Sequence, residues 1–284
     1  CSLVLIATLY PLIYVVSASF SEPSEVINGN IWLLPKNVTL DGYEMILDYD
    51  PIWIGYRNTI FYTLTGTFFS LILTIPSAYA LSKKSLPGRR LINVFFLIPM
   101  YFNGGLIPTY LVMKKIGMVN TWYSLIFIAA SSVYNMIVAR TFFANSIPWE
   151  LHEAAFLDGC SNFRLFVKIV LPLSAPIVVV MMLYYGVAHW NSYFSAMMYL
   201  SDRAKYPLQV FLREILTKGS FAADAIQSGA VFTEEEMIAM IKEADTANLI
   251  KYCVIIVSTV PMMIIYPFLQ RFFTKGVMIG AVKG

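Results

Sequence analysis

Six apolar runs, at about 1–19, 58–82, 91–113, 119–144, 173–200 and 248–272, leave this chain few ways to fold. A helix needs roughly 20 mostly apolar residues to cross a hydrocarbon core of ~30 Å, and such runs read as membrane spans. The expected class is therefore all-α transmembrane, with six spans in a single domain over residues 1–284. Composition agrees: 58% of residues are hydrophobic and 13% charged, where a soluble domain carries about 25% charged. A net charge of +3 is too small for a nucleic-acid surface, and the basic residues lie in short loops between the runs.

Those loops set the orientation, because short loops rich in Lys and Arg stay on the cytoplasmic side. The loop after the second run holds Lys83, Lys84, Arg89 and Arg90 without an acid, and the segment after the fourth holds Arg164 and Lys168. With Arg271, Lys275 and Lys283 in the tail, both termini are expected in the cytoplasm of a bacterial cytoplasmic-membrane protein. Most of the acids fall on the other side, in outer segments 20–57 and 201–247; Thr233 and Glu236 there predict a capped, small outer helix. The chain opens on Cys1 rather than methionine, and further native residues are expected before it.

Metal and disulfide chemistry have little to work with. Cys1, Cys160 and Cys253 are far apart, and only His152 and His189 could join them, so neither a metal site nor a disulfide framework is expected. In the third run, "LIPMYFNGGLIPTYLVM", Asn103, Gly104, Gly105 and Pro108 break the apolar pattern. Broken backbone at membrane depth is tolerated where it is buried in protein or lines a wet cavity, so Asn103 becomes a pathway candidate. His189, Trp190, Asn191 and Tyr193 form the most polar and aromatic group of the fifth run, and Asn135 is a further intramembrane polar residue. Polar groups at that depth face a bundle interior or cavity, and aromatic faces suit sugar rings.

Between the fourth and fifth runs lies a charged stretch, "EAAFLDGCSNFRLFVKIVLPLSAP". Pro148 reads as a first helical residue, Glu150 and Glu153 suit a helix N-terminus, and Gly159 suits the left-handed position that ends a helix. A second helix is expected from near Ser161, with Phe163, Phe166, Val167 and Val170 forming an apolar stripe. The physics of this stretch fits two uses equally: an interfacial connector, or a docking surface on which Ala154 and Ala155 admit a partner backbone and Glu153 and Asp158 supply charge.

Glu153-Ala154-Ala155, Asp158-Gly159, Phe166, Ile169, Leu171-Pro172 and Pro176 resemble, in type and spacing, the EAA loop of permease subunits in bacterial ABC importers. "RNTIFYT" from Arg57, "GGLIPTYLVMKKIGMVNTWYSLI" from Gly104, "AHWNSYF" from Ala188, "YPLQVFLREIL" from Tyr206 and the final "KGVMIGAVKG" are similar to the smaller permease of the maltose-type carbohydrate importers, in the branch associated with oligo- and polysaccharide uptake. Ala188 stands where that branch usually has glycine. The resemblance implies a six-helix permease that pairs with a second permease and receives carbohydrate from an extracellular solute-binding protein. Two cytoplasmic ATPase subunits would hold the ATP and Mg. It implies that Glu153, Ala154, Ala155, Asp158 and Gly159 couple to the ATPase, and that Lys283 and Gly284 in the tail contact it. The chain has no Gly-Lys pair and hence no phosphate-binding loop of its own, so it is expected to be no enzyme. An ion-coupled secondary transporter is the alternative; it would want intramembrane carboxylates, and the six runs contain no Asp or Glu. A membrane-embedded hydrolase would have no His pair to use, and a Ser-His dyad at His189 has no supporting motif.

Overall fold

The computed structural model describes residues 2–227 and 233–280. Among them every named element is helical, apart from one isolated bridge between Ser21 and Val38. Ser2–Ser19, Asp50–Ser82 and Ile250–Phe268 are each long and apolar enough to cross a membrane, and three sharply bent helix pairs raise the number to six if each pair is one span. Large apolar side chains lie exposed along these helices, as lipid-facing surfaces require.

The contacts divide the chain into two compact units. The first combines Cys1–Asn58 with Ala204–Met263. Helix Ser2–Ser19 ends in a serine cluster that satisfies the backbone where the chain turns: Ser17 Oγ donates to the Leu33 carbonyl at 2.6 Å, Ser21 Oγ accepts from Lys36 N at 3.0 Å, and Tyr43 Oη donates to Ser19 Oγ at 2.8 Å. Gly55 is required by packing, since a Cβ there would stand 2.8 Å from Leu208 Cα. Asn58 Nδ2 donates to the carbonyls of Ala204 and Tyr206 at 2.8 and 3.0 Å.

The capped helix expected in the second outer segment is the start of something longer. Thr233 N and Oγ1 both donate to Glu236 Oε2 at 2.9 Å, which draws the Glu236 carboxyl below the usual range, and the helix then runs unbroken as Glu234–Gly280. Neither glycine nor proline occurs from 234 to 260, so nothing in that stretch stops it before the apolar run.

The second unit combines Thr59–Arg203 with Ile264–Gly284. Its core gathers Ile75, Ala78, Tyr79, Phe143, Leu165, Met181 and Tyr185 from the later turns of Asp50–Ser82, from Val133–Ser146, from the Asn162–Leu173 stretch and from Ala175–Trp190. Tyr185 Oη bonds Thr74 Oγ1 at 2.7 Å and accepts from Ser132 N at 3.3 Å, which joins three helices. Helix Asp50–Ser82 starts eight residues before the apolar run, in outer-segment sequence, because Asp50 and Pro51 form a favourable first turn.

Candidate functional site

The charged stretch folds as a helix, a tight turn and a second helix. Pro148 is extended and stands just before the first arm, Trp149–Leu157, instead of opening it. The arm closes with Gly159 N donating to the Phe156 carbonyl at 3.0 Å and Cys160 N to the Ala155 carbonyl at 2.9 Å. That is the Schellman pairing, which needs a left-handed residue, and Gly159 supplies it at φ 69°. Ser161 Oγ then caps the second arm by accepting from Arg164 N.

The turn displays Glu153, Ala154, Asp158 and Gly159 at the surface, with Leu157 beside them at 89% exposure. Ala155 points the other way, into this unit's own core, and so is no part of the exposed face. The second arm's stripe also departs from expectation. A π-helical turn at Phe166–Val170 widens the winding, so Leu165, Phe166, Ile169 and Val170 face the core while Phe163 lies 78% exposed and Val167 is exposed too.

The break in the third run forms a second feature. Helices Arg89–Tyr101 and Leu106–Lys115 meet at 114° across Phe102–Gly105. Gly105 takes φ 86°, and Asn103 Oδ1 accepts from Gly105 N at 2.9 Å, which fixes the turn. A cavity of about 270 Å³ opens there, lined by Asn103, Thr109, Phe194, Ser195, Met198 and Tyr199 among others, none of them charged. Tyr110 stacks on Tyr199 with ring centroids 6.1 Å apart. Sequence reasoning reached Asn103 but missed Thr109, Phe194, Ser195 and Tyr199; only the return of helix Tyr193–Tyr199 to the break reveals them.

The polar group of the fifth run is dispersed. His189 is fully buried with its ring flat on Gly66 of helix Asp50–Ser82: a Cβ on Gly66 would meet three ring atoms at 2.4–2.6 Å. The Gly66 backbone is the polar group set against the His189 ring, without closing a well-formed hydrogen bond to either nitrogen, and Thr63, Thr67 and Ser192 have buried hydroxyls without a partner. Trp190 is buried, Tyr193 is half-buried, and Asn191 is exposed with its Nδ2 on the Val187 carbonyl at 3.0 Å. Asn135 is buried, its backbone N donating to Ser132 Oγ at the start of Val133–Ser146. Of these residues only Asn103 lines the cavity. Lys283 and Gly284 lie outside the described residues. Among the described residues no three His, Cys, Asp or Glu side chains gather as a metal site.

Residues 51–233 match the family model described as a binding-protein-dependent transport system inner membrane component. The chain is 38% identical over 275 residues to the polygalacturonan/rhamnogalacturonan transport system permease protein YtcP of Bacillus subtilis, covering 96% of this chain and 92% of that one. It is 27% identical to the arabinooligosaccharides transport system permease protein AraQ of Halalkalibacterium halodurans, covering 97% and 91%. The structure resembles a chain of a bacterial ABC transporter involved in the import of the acidic polysaccharide alginate, with a TM-score of 0.81, 32% identity, and coverage of 96% and 93%.

Proposed function

The chain belongs to the binding-protein-dependent transport system inner membrane components, and on that premise we propose that it is one permease of a two-permease carbohydrate importer, driven through its helix–turn–helix by ATPase subunits. A permease subunit of a sugar ABC importer is what its relatives are, and none of them supports ion coupling. In this reading both termini and the helix–turn–helix face the cytoplasm, where two ATPase subunits hold ATP and Mg, while an extracellular binding protein delivers the sugar.

The observation that carries the docking reading is the turn. Glu153, Leu157 and Asp158 are exposed on the arm that ends at Gly159, whose surroundings would leave even an added Cβ nothing to touch within 4 Å. An exposed apolar side chain flanked by fixed charges at the tip of a rigid hairpin suits insertion into a cleft of another protein. The cavity at Asn103 supports a carbohydrate path: an uncharged lining of amide, hydroxyl and aromatic groups hydrogen-bonds sugar hydroxyls and stacks on ring faces.

Affinity purification of the tagged chain from its native membrane in mild detergent, followed by mass spectrometry, tests the assembly. Recovery of a second permease, an ATPase and a solute-binding protein is the expected result. Recovery of the chain alone, under conditions that keep other importers whole, contradicts it.

A further inference from the structure

Both arms of the helix–turn–helix close on one residue, Tyr79, near the end of helix Asp50–Ser82. Its hydroxyl lies 3.1 Å from Nε2 of His152 on the first arm, while His152 Nδ1 lies 3.3 Å from the Pro148 carbonyl. The proton arrangement that satisfies both contacts has Nδ1–H donating to Pro148 and Nε2 accepting the Tyr79 hydroxyl, which is a neutral imidazole. Trp149 stacks on that ring at 5.0 Å.

The second arm reaches the same tyrosine by two routes. Phe166 of that arm stacks on it at 5.0 Å, and Asn162 of that arm reaches it through Lys83; Phe143 of Val133–Ser146, outside both arms, meets it edge-on at 5.6 Å. Lys83, one turn further along, holds its ammonium 4.6 Å over the Tyr79 ring and donates to Asn162 Oδ1 at 3.0 Å. Burial holds His152 below the usual imidazole range despite the Pro148 bond, and the Lys83 charge acts in the same direction.

The covalent connections of the two arms are bent. The first arm follows an extended Ile147 and Pro148, and the second leaves through the π-helical turn and a 79° bend at Ser174. Helix Asp50–Ser82 is by contrast one continuous helix of 33 residues, with Pro76 inside it close to the Tyr79 end. We infer that Tyr79, with His152 and Lys83, is the positioning pin that locks both arms to helix Asp50–Ser82, so that displacement of the docking tip enters the membrane through that helix. The inference rests on the reading of the Gly159 turn as the docking tip.

The test uses the whole complex, purified with its own ATPase and binding protein and placed in proteoliposomes. A nitroxide spin label at Phe68→Cys, an exposed site on helix Asp50–Ser82, reports helix movement, with the remaining cysteines changed to serine. The readout is the ATP-dependent change in the label's oxygen accessibility, normalised to ATP hydrolysed. Tyr79→Phe and His152→Leu each remove the same hydrogen bond and cut that response by about 2- to 10-fold, the span that one net hydrogen bond represents. The double variant falls no further than either single one, and His152→Gln, whose amide oxygen can accept the Tyr79 proton, recovers most of the response. A full response in both Tyr79→Phe and His152→Leu overturns the pin while leaving the docking reading intact. If the unsubstituted complex fails to respond to ATP, or Gly159→Asp responds normally, the docking reading falls and the pin with it.

Discussion

Replacing Gly66 with alanine reverses a familiar sign. In an ordinary helix interior the exchange is favourable by about 1 kcal/mol, since alanine has less backbone freedom to lose and is the best helix former. In this chain the new methyl would overlap His189 Cε1, Nε2 and Nδ1 at 2.4, 2.5 and 2.6 Å, and the ring is fully buried with little room to swing aside. Overpacking of this kind costs about 1–3 kcal/mol, so after the propensity gain the net loss is about 1–2 kcal/mol near the upper part of that range. At about 2–4 °C per kcal/mol for chains of 150–250 residues, detergent-solubilised Gly66→Ala should unfold roughly 2–8 °C lower at a fixed scan rate. The paired test is His189→Ala. If the clash is the cause, Gly66→Ala and His189→Ala together lose less than the sum of the two, with a coupling of about 0.5–3 kcal/mol. A stabilised Gly66→Ala, or strict additivity with His189→Ala, refutes the packing argument.

Three further outcomes follow from particular contacts. Gly159→Asp keeps the left-handed turn, which aspartate tolerates, but adds a third carboxylate beside Glu153 and Asp158; the chain should reach the membrane in normal amount and fail to import, as measured by uptake and membrane immunoblotting. The packed state of His152 requires the neutral ring, and its pKa is held below about 6.5 by burial, so its contribution to stability is complete above that pH and fades as pH falls through the folded value; melting curves from pH 8 to 5 should show an acid-side loss that His152→Gln lacks. Asn120 combines a left-handed backbone at φ 59° with a side-chain oxygen that accepts from Ser201 N and Asp202 N at 3.1 Å, so Asn120→Ala should cost about 1–3 kcal/mol in thermal unfolding, whereas Asn120→Asp, which keeps both the acceptor and the tolerance, costs less.

What the sequence disclosed depended on how far apart the determining residues lie. The first arm and its left-handed end at Gly159 are local matters, settled by residues within one or two turns, and they were legible. So was the break at Asn103-Gly104-Gly105, because glycine and a self-bonding asparagine act on their own backbone. The apolar stripe of the second arm was half legible: Phe166 and Val170 face the core as such a stripe should, while Phe163 and Val167 are exposed, and nothing in Phe166–Val170 announces its π-helical turn. Tyr79 was invisible for another reason: within an apolar run it looks like any core aromatic, and the imidazole that accepts its hydroxyl lies 73 residues away. His189 suggested a pathway because it is polar at membrane depth, but the glycine that makes room for it belongs to another helix.

Within the second unit, helix Asp50–Ser82 changes character along its length. Around Gly66 it meets Ala175–Trp190 through close packing against the His189 ring, with the hydroxyls of Thr63 and Thr67 unpaired. One turn later Ser70 Oγ reaches the Ala129 carbonyl at a long 3.4 Å, and the next turn brings Thr74 to Tyr185 at 2.7 Å. At the far end Tyr79 and Lys83 are bonded or stacked to both arms of the helix–turn–helix. Moving the Tyr79 end separately from the arms would strand a buried hydroxyl and an imidazole nitrogen, at about 1–3 kcal/mol for each unsatisfied group. The same helix is therefore tied to the helix–turn–helix at its far end and to Ala175–Trp190 through Thr74 and Tyr185, while the crossing at Gly66 and His189 is made by close packing of small residues against a ring.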